Sequence, residues 1–484
     1  MSDAYDTVVI GSGSGGFTVA IGLTGLGRRV AIIERAHVGG DCTNVGCIPS
    51  KTLIHDASTR GTGTHTAELL QAVRDKRTHL RDEETKQLRH VEHLTLLFGH
   101  ARFAGPRRLA VTDADGAMRD VTGTHIVIAT GSRPRVVSIP GLPSERTLTN
   151  ETLFEASRVP DHLVIVGAGA VAMEMAFAFR NLGSAVTLVV RGDRVLARLA
   201  TAASDVLHAS LVAHGISVQY QARVQTYDEA SQTLHMVAAG VPVTVARVDR
   251  VLLAIGREPN VGDLDLARAG VRYHTEDGIP TDAYGRTNVP HIFAVGDVTP
   301  DGTTTHAANA QGRRVVQRIA FPLLPAVGEP PLYPTAIFSD PEVAAVGLTP
   351  EQVARRYHPG VVRRIRVELK DVDRGYTDDV RRGFVMVDAM CLTGRILGAT
   401  IVAPHAGDMI SLFTLAMTRR ITLYTLSRLV FPYPTLSEAI KRVADTYLRE
   451  TLPHLRSEAA MYVRYRLAPV PGQRRQTAAL RTTP

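Results

Sequence analysis

Two glycine-rich loops, each between a predicted strand and a predicted helix, constrain the fold of this chain more than any other feature. The first loop is Gly11-Ser-Gly-Ser-Gly-Gly16, and it follows an apolar strand at residues 5–10. A helix is predicted at residues 17–26 and a second apolar strand at residues 29–33. This order makes a βαβ unit, so the sequence predicts an α/β fold that binds a dinucleotide.

The glycines of the first loop have separate roles. Gly11 allows the tight turn, Gly13 lets the backbone approach a pyrophosphate, and Gly16 lets the helix pack closely on the strand. Glu34 follows at the end of the second strand, where a carboxylate can accept hydrogen bonds from the adenosine ribose hydroxyls. The loop, both strands and the acid together predict a dinucleotide site.

The same pattern recurs in the middle of the chain. It consists of an apolar strand at 162–166, the loop Gly167-Ala-Gly-Ala-Val-Ala172, a helix through residue 182 and a strand at 185–190. In this loop the positions of the three glycines are taken by Gly167, Gly169 and Ala172. Two bound dinucleotides are therefore expected.

The second copy lacks a ribose-binding carboxylate. Val190 stands at the position equivalent to Glu34, and Arg191 follows it. Loss of the acid removes a repulsion, and a guanidinium can pair bidentately with a 2′-phosphate. We therefore expect NADPH rather than NADH at this site, with an exposed strand-end charge as the alternative role for Arg191.

Three further apolar segments end in residues suited to cofactor binding. Residues 126–131 and 251–256 end in Gly131 and Gly256, and residues 292–297 end in Gly296-Asp297. An aspartate at the carboxyl end of a strand can accept hydrogen bonds from a ribityl or ribose chain. Capping of a helix predicted from about residue 305 is the alternative role for Asp297.

Residues 39–51, Gly-Gly-Asp-Cys-Thr-Asn-Val-Gly-Cys-Ile-Pro-Ser-Lys, place Cys42 and Cys47 five positions apart and close after Glu34. In an ideal helix their Cα atoms would be about 8 to 9 Å apart, whereas a disulfide needs about 4.4 to 6.8 Å. The segment must therefore be distorted, and Gly46 and Pro49 are suited to distort it.

A redox-active dithiol is the interpretation we favour for these two cysteines. Half of a zinc site is the alternative, but the chain has no second CxxC pair, and Cys391 alone completes no obvious ligand set. Lys51, four residues after Cys47, is suited to stabilise a thiolate or a flavin anion.

Chain size argues that these thiols are not structural staples. With 484 residues, of which 44% are hydrophobic, the chain can bury large cores and should form two to four domains. No run of eighteen apolar residues occurs, and the first strand starts too early for a secretory signal. We expect a cytoplasmic protein, and in that compartment closely spaced cysteines are usually catalytic or metal-binding.

The positive charge is concentrated at the end of the chain. The formal net charge is +8, and six arginines against one glutamate occur between residues 456 and 481. Aromatic residues are few there, so we expect a partly disordered basic tail at 451–484 that is solvated or covers a subunit, and no nucleic-acid or membrane binding.

Taken together, these motifs resemble the class I pyridine nucleotide-disulfide oxidoreductases, the flavoprotein family of dihydrolipoamide dehydrogenase, glutathione reductase and mercuric reductase. The resemblance covers about residues 4 to 450 and includes both glycine loops, the thiol segment, Ala129-Thr-Gly-Ser132, Gly256-Arg-Glu-Pro-Asn260 and the segment ending in Asp297. It implies FAD in the first site, contributed to by Thr130 and Asp297, and an ion pair between Lys51 and Glu174. It also implies a homodimer whose active sites are shared between subunits.

One motif departs from the thiol-reducing members of the family. In those members a histidine precedes Pro-Thr-Leu-Ser-Glu, whereas here Tyr433 precedes that run, which ends at Glu438. A phenol is a poor base at neutral pH, so turnover of lipoamide or glutathione is put in doubt. The Phe-Pro-Tyr motif is similar to mercuric reductase, although the chain lacks the C-terminal cysteine pair and the N-terminal metal-binding domain of that enzyme.

The predicted architecture is two Rossmann-like domains followed by an α+β dimerisation domain. The FAD domain comprises residues 1–150 and 281–330, the NAD(P)H domain 151–280, the dimerisation domain 331–450 and the tail 451–484. Hydride is expected to pass from NADPH to FAD and then to the Cys42–Cys47 disulfide, with Cys47 next to the flavin and Cys42 attacking the substrate. The final acceptor is a metal ion, a disulfide or another small oxidant. The alternatives are a dihydrolipoamide dehydrogenase-like activity and a non-catalytic flavin redox sensor or complex subunit.

Overall fold

The computed structural model describes residues 3–60, 66–302, 304–323 and 332–466. The first part of the chain contains the elements of the first glycine loop and the thiol segment. They are β1 (Asp3–Ile10), α1 (Ser14–Thr24), β2 (Val30–Glu34), α2 (Gly40–Asn44), α3 (Cys47–Arg60), α4 (Thr66–His90), β3 (Leu94–Phe98), β4 (His100–Gly105), β5 (Arg108–Thr112), β6 (Met118–Ile128), β7 (Ser132–Pro134) and β8 (Thr147–Leu148).

The middle part contains the second glycine loop and the return to the first sheet. Its elements are β9 (His162–Val166), α5 (Ala170–Asn181), β10 (Ala185–Val189), α6 (Thr201–Ala213), β11 (Ser217–Gln219), β12 (Ala222–Asp228), β13 (Thr233–Ala238), β14 (Val241–Val245), β15 (Arg250–Leu253), β16 (Arg257–Pro259), β17 (Ile292–Ala294) and α7 (Thr305–Ala320).

The last part is an α+β segment. Its elements are β18 (Thr335–Ile337), β19 (Glu342–Gly347), α8 (Pro350–Arg356), β20 (Val362–Glu368), α9 (Asp373–Thr377), β21 (Phe384–Met390), β22 (Ile396–Ala403), α10 (Ala406–Thr418), α11 (Leu423–Leu426), α12 (Glu438–Thr451) and α13 (Leu455–Tyr465).

The chain divides into two compact units, each assembled from segments that are separated in the sequence. The first unit comprises residues 1–167, 178–191 and 221–330, and the second comprises 168–177, 192–220 and 331–484. The predicted domain boundaries at 150, 280 and 330 are a finer division and remain a prediction.

The main sheet of the first unit has the strand order β3-β2-β1-β6-β5-β4, and β17 pairs with β6. The strands β3, β2, β1, β6 and β17 are parallel, whereas β4, β5 and β6 form an antiparallel meander. Alternate residues of β1 point to opposite faces: Val8 packs in one hydrophobic cluster and Val9 packs in another with α1 and α7. Both faces of the second half of β1 are therefore covered, which is why its last three residues, Val8 to Ile10, are apolar.

A second parallel sheet of the first unit contains strands β10-β9-β15-β8 in that order. Strands β12, β13 and β14 form a separate antiparallel sheet. Each glycine loop thus begins at the carboxyl end of a central parallel strand, β1 or β9, where ligands of open α/β sheets bind.

The second unit contains a five-stranded antiparallel sheet in the order β18-β19-β22-β21-β20. Residues of β21 and β22 share one core with α10 and α12, including the buried Phe413 and Tyr447. Two helices therefore shield one face of the sheet, and this unit has its own hydrophobic core.

The first part of the predicted basic tail at 451–484 is folded in the structure. Residues 455–465 form α13, whose Glu458 is 2% exposed and forms an ion pair with Arg363 of β20. Tyr465 stacks on His358 with ring centroids 4.1 Å apart. This helix is therefore packed on its own unit, and the remainder of the predicted tail, from residue 467, lies outside the described residues.

Candidate active site

The first glycine loop has the close contacts that its glycines were predicted to allow. Gly11 has φ +99°, and a Cβ atom on it would lie 2.4 Å from the carbonyl oxygen of Ala129. A Cβ atom on Gly16 would lie 2.0 Å from the carbonyl oxygen of Gly11. The helix α1 begins directly after Gly13, which offers no side chain to cap it. Its first N–H groups are thus available to an anion, as a pyrophosphate site requires.

Glu34 is already oriented by three donors. Its Oε2 accepts hydrogen bonds from the backbone N–H of Ser12 at 2.9 Å and from the Ser12 hydroxyl at 2.7 Å. Its Oε1 accepts one from the N–H of Ala36 at 2.8 Å. The residue is 9% exposed. Its carboxylate is therefore fixed at the edge of the site, with lone pairs left for ribose hydroxyls.

A cavity of about 430 Å³ extends along this loop. Its wall is formed by the β1–α1 loop, the end of β2, the thiol segment, residues 129–133, residues 260–264 and residues 295–297. Thr130, Gly131, Gly296 and Asp297 all line it, whereas Gly256, with φ +122°, is not among its lining residues. A cavity lined by a glycine loop and by carboxylates that include Glu34 and Asp297 fits the chemistry of a bound dinucleotide.

Asp297 does not cap the helix that follows it. The N-cap of α7 is Thr304, whose side chain accepts a hydrogen bond from the N–H of Ala307. Asp297 instead accepts a hydrogen bond from the Ser132 hydroxyl at 2.8 Å and lines the cavity. Of the two predicted roles, the structure excludes the cap and leaves the carboxylate available to a cofactor hydroxyl.

The thiol segment is broken between its two cysteines, as their spacing predicted. Cys42 lies in α2 and Cys47 begins α3, with Val45 and Gly46 between the helices. A Cβ atom on Gly46 would lie 2.7 Å from the carbonyl oxygen of Asp41, so glycine is needed where the helices meet. Because the helix is interrupted, the two thiols approach each other, which a continuous helix would not allow.

The two sulfur atoms interact as a pair. The hydrogen bond with Cys47 is the largest of the causes that raise the pKa of Cys42, followed by burial and the charge of Cys47. The Cys47 Sγ also lies 3.6 Å from the hydroxyl of Thr305, which lines the cavity together with Cys42. Cys42 thus retains its proton at neutral pH, and its contact with Cys47 is that expected for a dithiol that titrates as a coupled pair. The prediction that Cys47 is the flavin-proximal thiol stays a prediction.

Arg257 is a site residue to which sequence analysis assigned no role. Its Nε donates to the Ser132 hydroxyl at 2.7 Å, its Nη1 to Asn150 Oδ1 at 3.2 Å, and its Nη2 to the Asp41 carboxylate. Asn150 in turn donates to the carbonyl oxygen of Val45 at 3.3 Å. Arg257 therefore holds the thiol segment at Asp41 directly and at the helix break through Asn150. The only sequence signal for Arg257 was its place in the motif at 256–260. Its contacts could not be predicted, because Asn150 and Asp41 are 107 and 216 positions away in the sequence.

Burial raises the pKa of Asp41, and the neighbouring charges of Asp297 and Glu34 add to that rise. The Arg257 charge and hydrogen bond oppose it. The Arg257 guanidinium thus lies next to both Asp41 and Asp297 and offsets part of the negative charge near the thiol segment.

Lys51 belongs to the first compact unit and Glu174 to the second. Lys51 lies one turn into α3 and is half-buried. Glu174, on α5, is 5% exposed and accepts a hydrogen bond from the N–H of Phe338 at 3.2 Å. The predicted ion pair between Lys51 and Glu174 remains a prediction.

The second glycine loop shows the same backbone requirement as the first. Gly167 has φ +143°, and a Cβ atom on it would lie 2.2 Å from the carbonyl oxygen of Ala254. Gly169 has open space around its Cα, and Ala172 is fully buried. Arg191 follows β10 and is exposed, so its guanidinium is accessible to a ligand phosphate.

Tyr433 and Glu438 lie close to each other in the second unit. Tyr433 is 70% exposed, and Glu438 is the first residue of α12, where it pairs with Arg442 at 3.1 Å. The hydroxyl of Tyr433 donates to Asp373 at 2.8 Å. Thus Tyr433 is not paired with Glu438, the carboxylate that partners histidine in the thiol-reducing members of the resembling family.

No group of three or more His, Cys, Asp and Glu side chains suited to a metal ion occurs within the described ranges. Cys391, the third cysteine, is 3% exposed and packs in a separate cluster with Val361 and Leu397. In the same described ranges, every helix is too short or too polar to cross a bilayer.

Comparisons with known proteins agree with this geometry. Residues 5–312 match the sequence model of the pyridine nucleotide-disulphide oxidoreductases, and residues 333–444 match that of their dimerisation domain. The mercuric reductase of Streptomyces lividans is 33% identical over 461 residues, which cover 92% of this chain and 96% of that protein. The dihydrolipoyl dehydrogenase of Corynebacterium glutamicum is 32% identical over 468 residues, covering 92% and 98%.

A mercuric reductase of Acidithiobacillus ferrooxidans is 33% identical over 469 residues, covering 91% of this chain and 82% of that protein. Among solved structures, the Cu(II) complex of the HOCl-induced flavoprotein disulfide reductase RclA from Escherichia coli matches with a TM-score of 0.83 and 26% identity, covering 92% of this chain and all of that one. The predicted α/β fold class with a dimerisation domain is confirmed.

Proposed function

Because this chain belongs to the pyridine nucleotide-disulphide oxidoreductase family, we propose that it is an NADPH-dependent flavoprotein that reduces a thiophilic metal ion at the Cys42–Cys47 pair. The observation that carries the proposal is the mutual contact of these two thiols beside a glycine-loop cavity that Cys42 itself lines. With mercuric ion, each turnover would convert NADPH and Hg(II) to NADP⁺, a proton and Hg(0).

The residues around the cavity have separate tasks in this proposal. The N-terminus of α1 and the loop from Gly11 to Gly16 hold the pyrophosphate of FAD, Glu34 its ribose, and Asp297 its ribityl chain. Bound there, FAD supplies two-electron transfer between the nicotinamide and the cysteine pair. Arg257 keeps the thiol segment in place, and Lys51 offers a positive charge one turn beyond Cys47.

The metal substrate is supported by two independent features. Tyr433 replaces the histidine that protonates a leaving thiol, so the chain lacks the acid suited to disulfide substrates. Several relatives bear the name mercuric reductase, and a structural neighbour was solved as a Cu(II) complex. A disulfide such as oxidised lipoamide is the second candidate substrate, because a dihydrolipoyl dehydrogenase is similar over nearly its whole length.

An anaerobic titration of the holoprotein with NADPH tests the proposal. One equivalent should reduce the protein by two electrons, make two additional thiols reactive towards a thiol reagent, and produce a long-wavelength absorbance band from a thiolate beside the flavin. Turnover is then measured with mercuric and cupric ions, oxidised lipoamide and glutathione disulfide. Reduction of flavin without new thiols would refute the role of Cys42 and Cys47, and turnover of the disulfides alone would refute the metal substrate.

For the nicotinamide cofactor, Arg191→Ala is expected to raise KM for NADPH about tenfold and to leave KM for NADH nearly unchanged, because only NADPH carries the 2′-phosphate that the guanidinium would bind. Arg223→Ala, which removes another exposed arginine of the first unit, is the matched control and should change neither constant. Equal effects of Arg191→Ala on both cofactors would show that Arg191 is an ordinary surface charge.

A further inference from the structure

Tyr433 is held by a carboxylate that sequence analysis did not single out. Its Oη donates to Asp373 Oδ2 at 2.8 Å, and the other oxygen of Asp373 accepts a hydrogen bond from Arg442 Nη2 at 3.1 Å. Asp373 begins α9, and Tyr433 lies in the segment before α12. Because both carboxylate oxygens are engaged, Asp373 cannot rotate away from Tyr433 without losing a charge-assisted hydrogen bond.

Arg442 connects this pair to Glu438. Its Nε and Nη2 donate to Glu438 Oε1 at 3.2 and 3.1 Å, and its Nη1 donates to the carbonyl oxygen of Asp371. The hydrogen bonds thus run from Tyr433 to Asp373, then to Arg442 and to Glu438. The guanidinium occupies Oε1 of Glu438, and Asp373 is the carboxylate that partners residue 433.

The direction of the hydrogen bond between Tyr433 and Asp373 determines whether the Tyr433 hydroxyl can act as a donor or as an acceptor towards a substrate. A phenol has one proton, and here that proton points to Asp373. The charged groups facing Tyr433 are Asp373 on α9 and Glu438 and Arg442 on α12. The hydrogen bond and charge of Asp373 raise the pKa of Tyr433, while Tyr433 and Arg442 lower the pKa of Asp373. At neutral pH the hydroxyl therefore stays protonated and its lone pairs remain as acceptors.

The segments that carry this pair are unusually exposed within the single chain. Tyr376 of α9 is 80% exposed, Val430 is 96% exposed and Tyr433 is 70% exposed. Neighbouring exposed apolar side chains of this size often mark an interaction surface. These side chains would be covered in the proposed homodimer, in which Tyr433 faces the thiols of the other subunit.

We propose that Asp373 is a positioning residue that holds the Tyr433 hydroxyl with its lone pairs toward the substrate, so that the site favours a thiophilic cation over a disulfide. The inference rests on the proposed function, and it deepens that function by assigning the source of its specificity. A disulfide substrate releases a thiolate that needs a proton, but the proton of Tyr433 is committed to Asp373. Reduction of a thiophilic cation releases no thiolate that needs a proton, and the lone pairs of Tyr433 remain able to accept a hydrogen bond from a thiol.

Tyrosine ionisation tests the arrangement without requiring turnover. The phenolate absorbance of the holoprotein is followed against pH for the wild type and for Tyr433→Phe, and the difference is the titration of Tyr433. Asp373→Asn should bring that titration down toward the ordinary value of about 10. Asp378→Asn removes an exposed carboxylate of the same region that pairs with Arg374, and should leave it unchanged. An unaltered titration in Asp373→Asn would overturn the proposal.

Turnover then tests specificity. Asp373→Asn should lower the ratio of kcat/KM for mercuric ion to kcat/KM for oxidised lipoamide about tenfold, since the asparagine amide can donate to Tyr433 and free its proton. In the Tyr433→Phe background the same change should have no further effect, because Asp373 acts only through Tyr433. Additive losses in the double variant would refute a positioning role. If the wild type reduces neither compound, the proposed function fails, whereas the tyrosine titration still decides the Tyr433–Asp373 pairing.

Discussion

Cys42→Ser is expected to lower NADPH-dependent turnover of mercuric ion by about a thousandfold or more, while NADPH still reduces the bound flavin. The serine hydroxyl neither forms a disulfide with Cys47 nor binds a soft metal. Electrons would therefore reach the flavin but could not be transferred to the metal ion. Stopped-flow absorbance of the flavin, together with steady-state oxidation of NADPH, separates the two half-reactions.

Cys47→Ser should be equally inactive but differ in its spectrum. If Cys47 is the thiolate next to the flavin, this variant loses the long-wavelength band, whereas Cys42→Ser retains it. Cys391→Ala is the control: this cysteine is buried in a separate cluster and should contribute nothing to turnover. Mercuric ion reduction at the wild-type rate by either serine variant would disprove the dithiol route, and a band present only in Cys47→Ser would exchange the two assigned roles.

Gly16→Ala is expected to abolish stable FAD binding and to lower the free energy of unfolding by about 3 kcal/mol, near the upper end of overpacking costs. The added methyl group would lie 2.0 Å from the carbonyl oxygen of Gly11, which is backbone and cannot rotate away. The helix α1 would have to move away from β1, and the loop that is suited to bind the pyrophosphate would change shape.

Gly105→Ala is a suitable control, because a Cβ atom at this β4 position meets nothing within 4 Å. The flavin absorbance of the purified variants and their urea denaturation, with and without added FAD, measure both effects. Normal FAD content in Gly16→Ala at unchanged stability would contradict the requirement for glycine at this position.

Sequence periodicity was sufficient for most of the parallel strands, although β3 and β8 were not predicted. The apolar runs at 5–10 and 162–166 predicted strands that the structure has as β1 and β9, and the first half of the run at 292–297 forms β17. These runs are recognisable because strand residues buried on both faces are mostly apolar. Polar elements were missed: α4 carries charge along most of its 25 residues, and only Leu69, Leu70, Val73 and Leu88 of it are buried. A helix held by so narrow an apolar stripe has too weak a pattern to be recognised.

Local patterns also identified much of the candidate site. The glycines, Glu34 and the cysteines lie within short stretches whose spacing has a direct geometric meaning, and the predicted helix break between Cys42 and Cys47 is present. Arg257 and Asp373 were missed because their roles depend on side chains far along the chain. No spacing rule connects residues that meet only after two separate segments have packed.

Local sequence patterns are enough to establish that this chain forms glycine-loop α/β units and carries a paired thiol segment next to the first of them. These properties follow from backbone sterics and strand burial, which act over a few residues. The groups that surround the thiols, and the carboxylate that partners Tyr433, became evident only from the packing of the folded chain. Those outcomes depend on hydrogen bonds of about 3 Å between segments distant in the sequence, and such bonds exist only once the cores beneath them have packed.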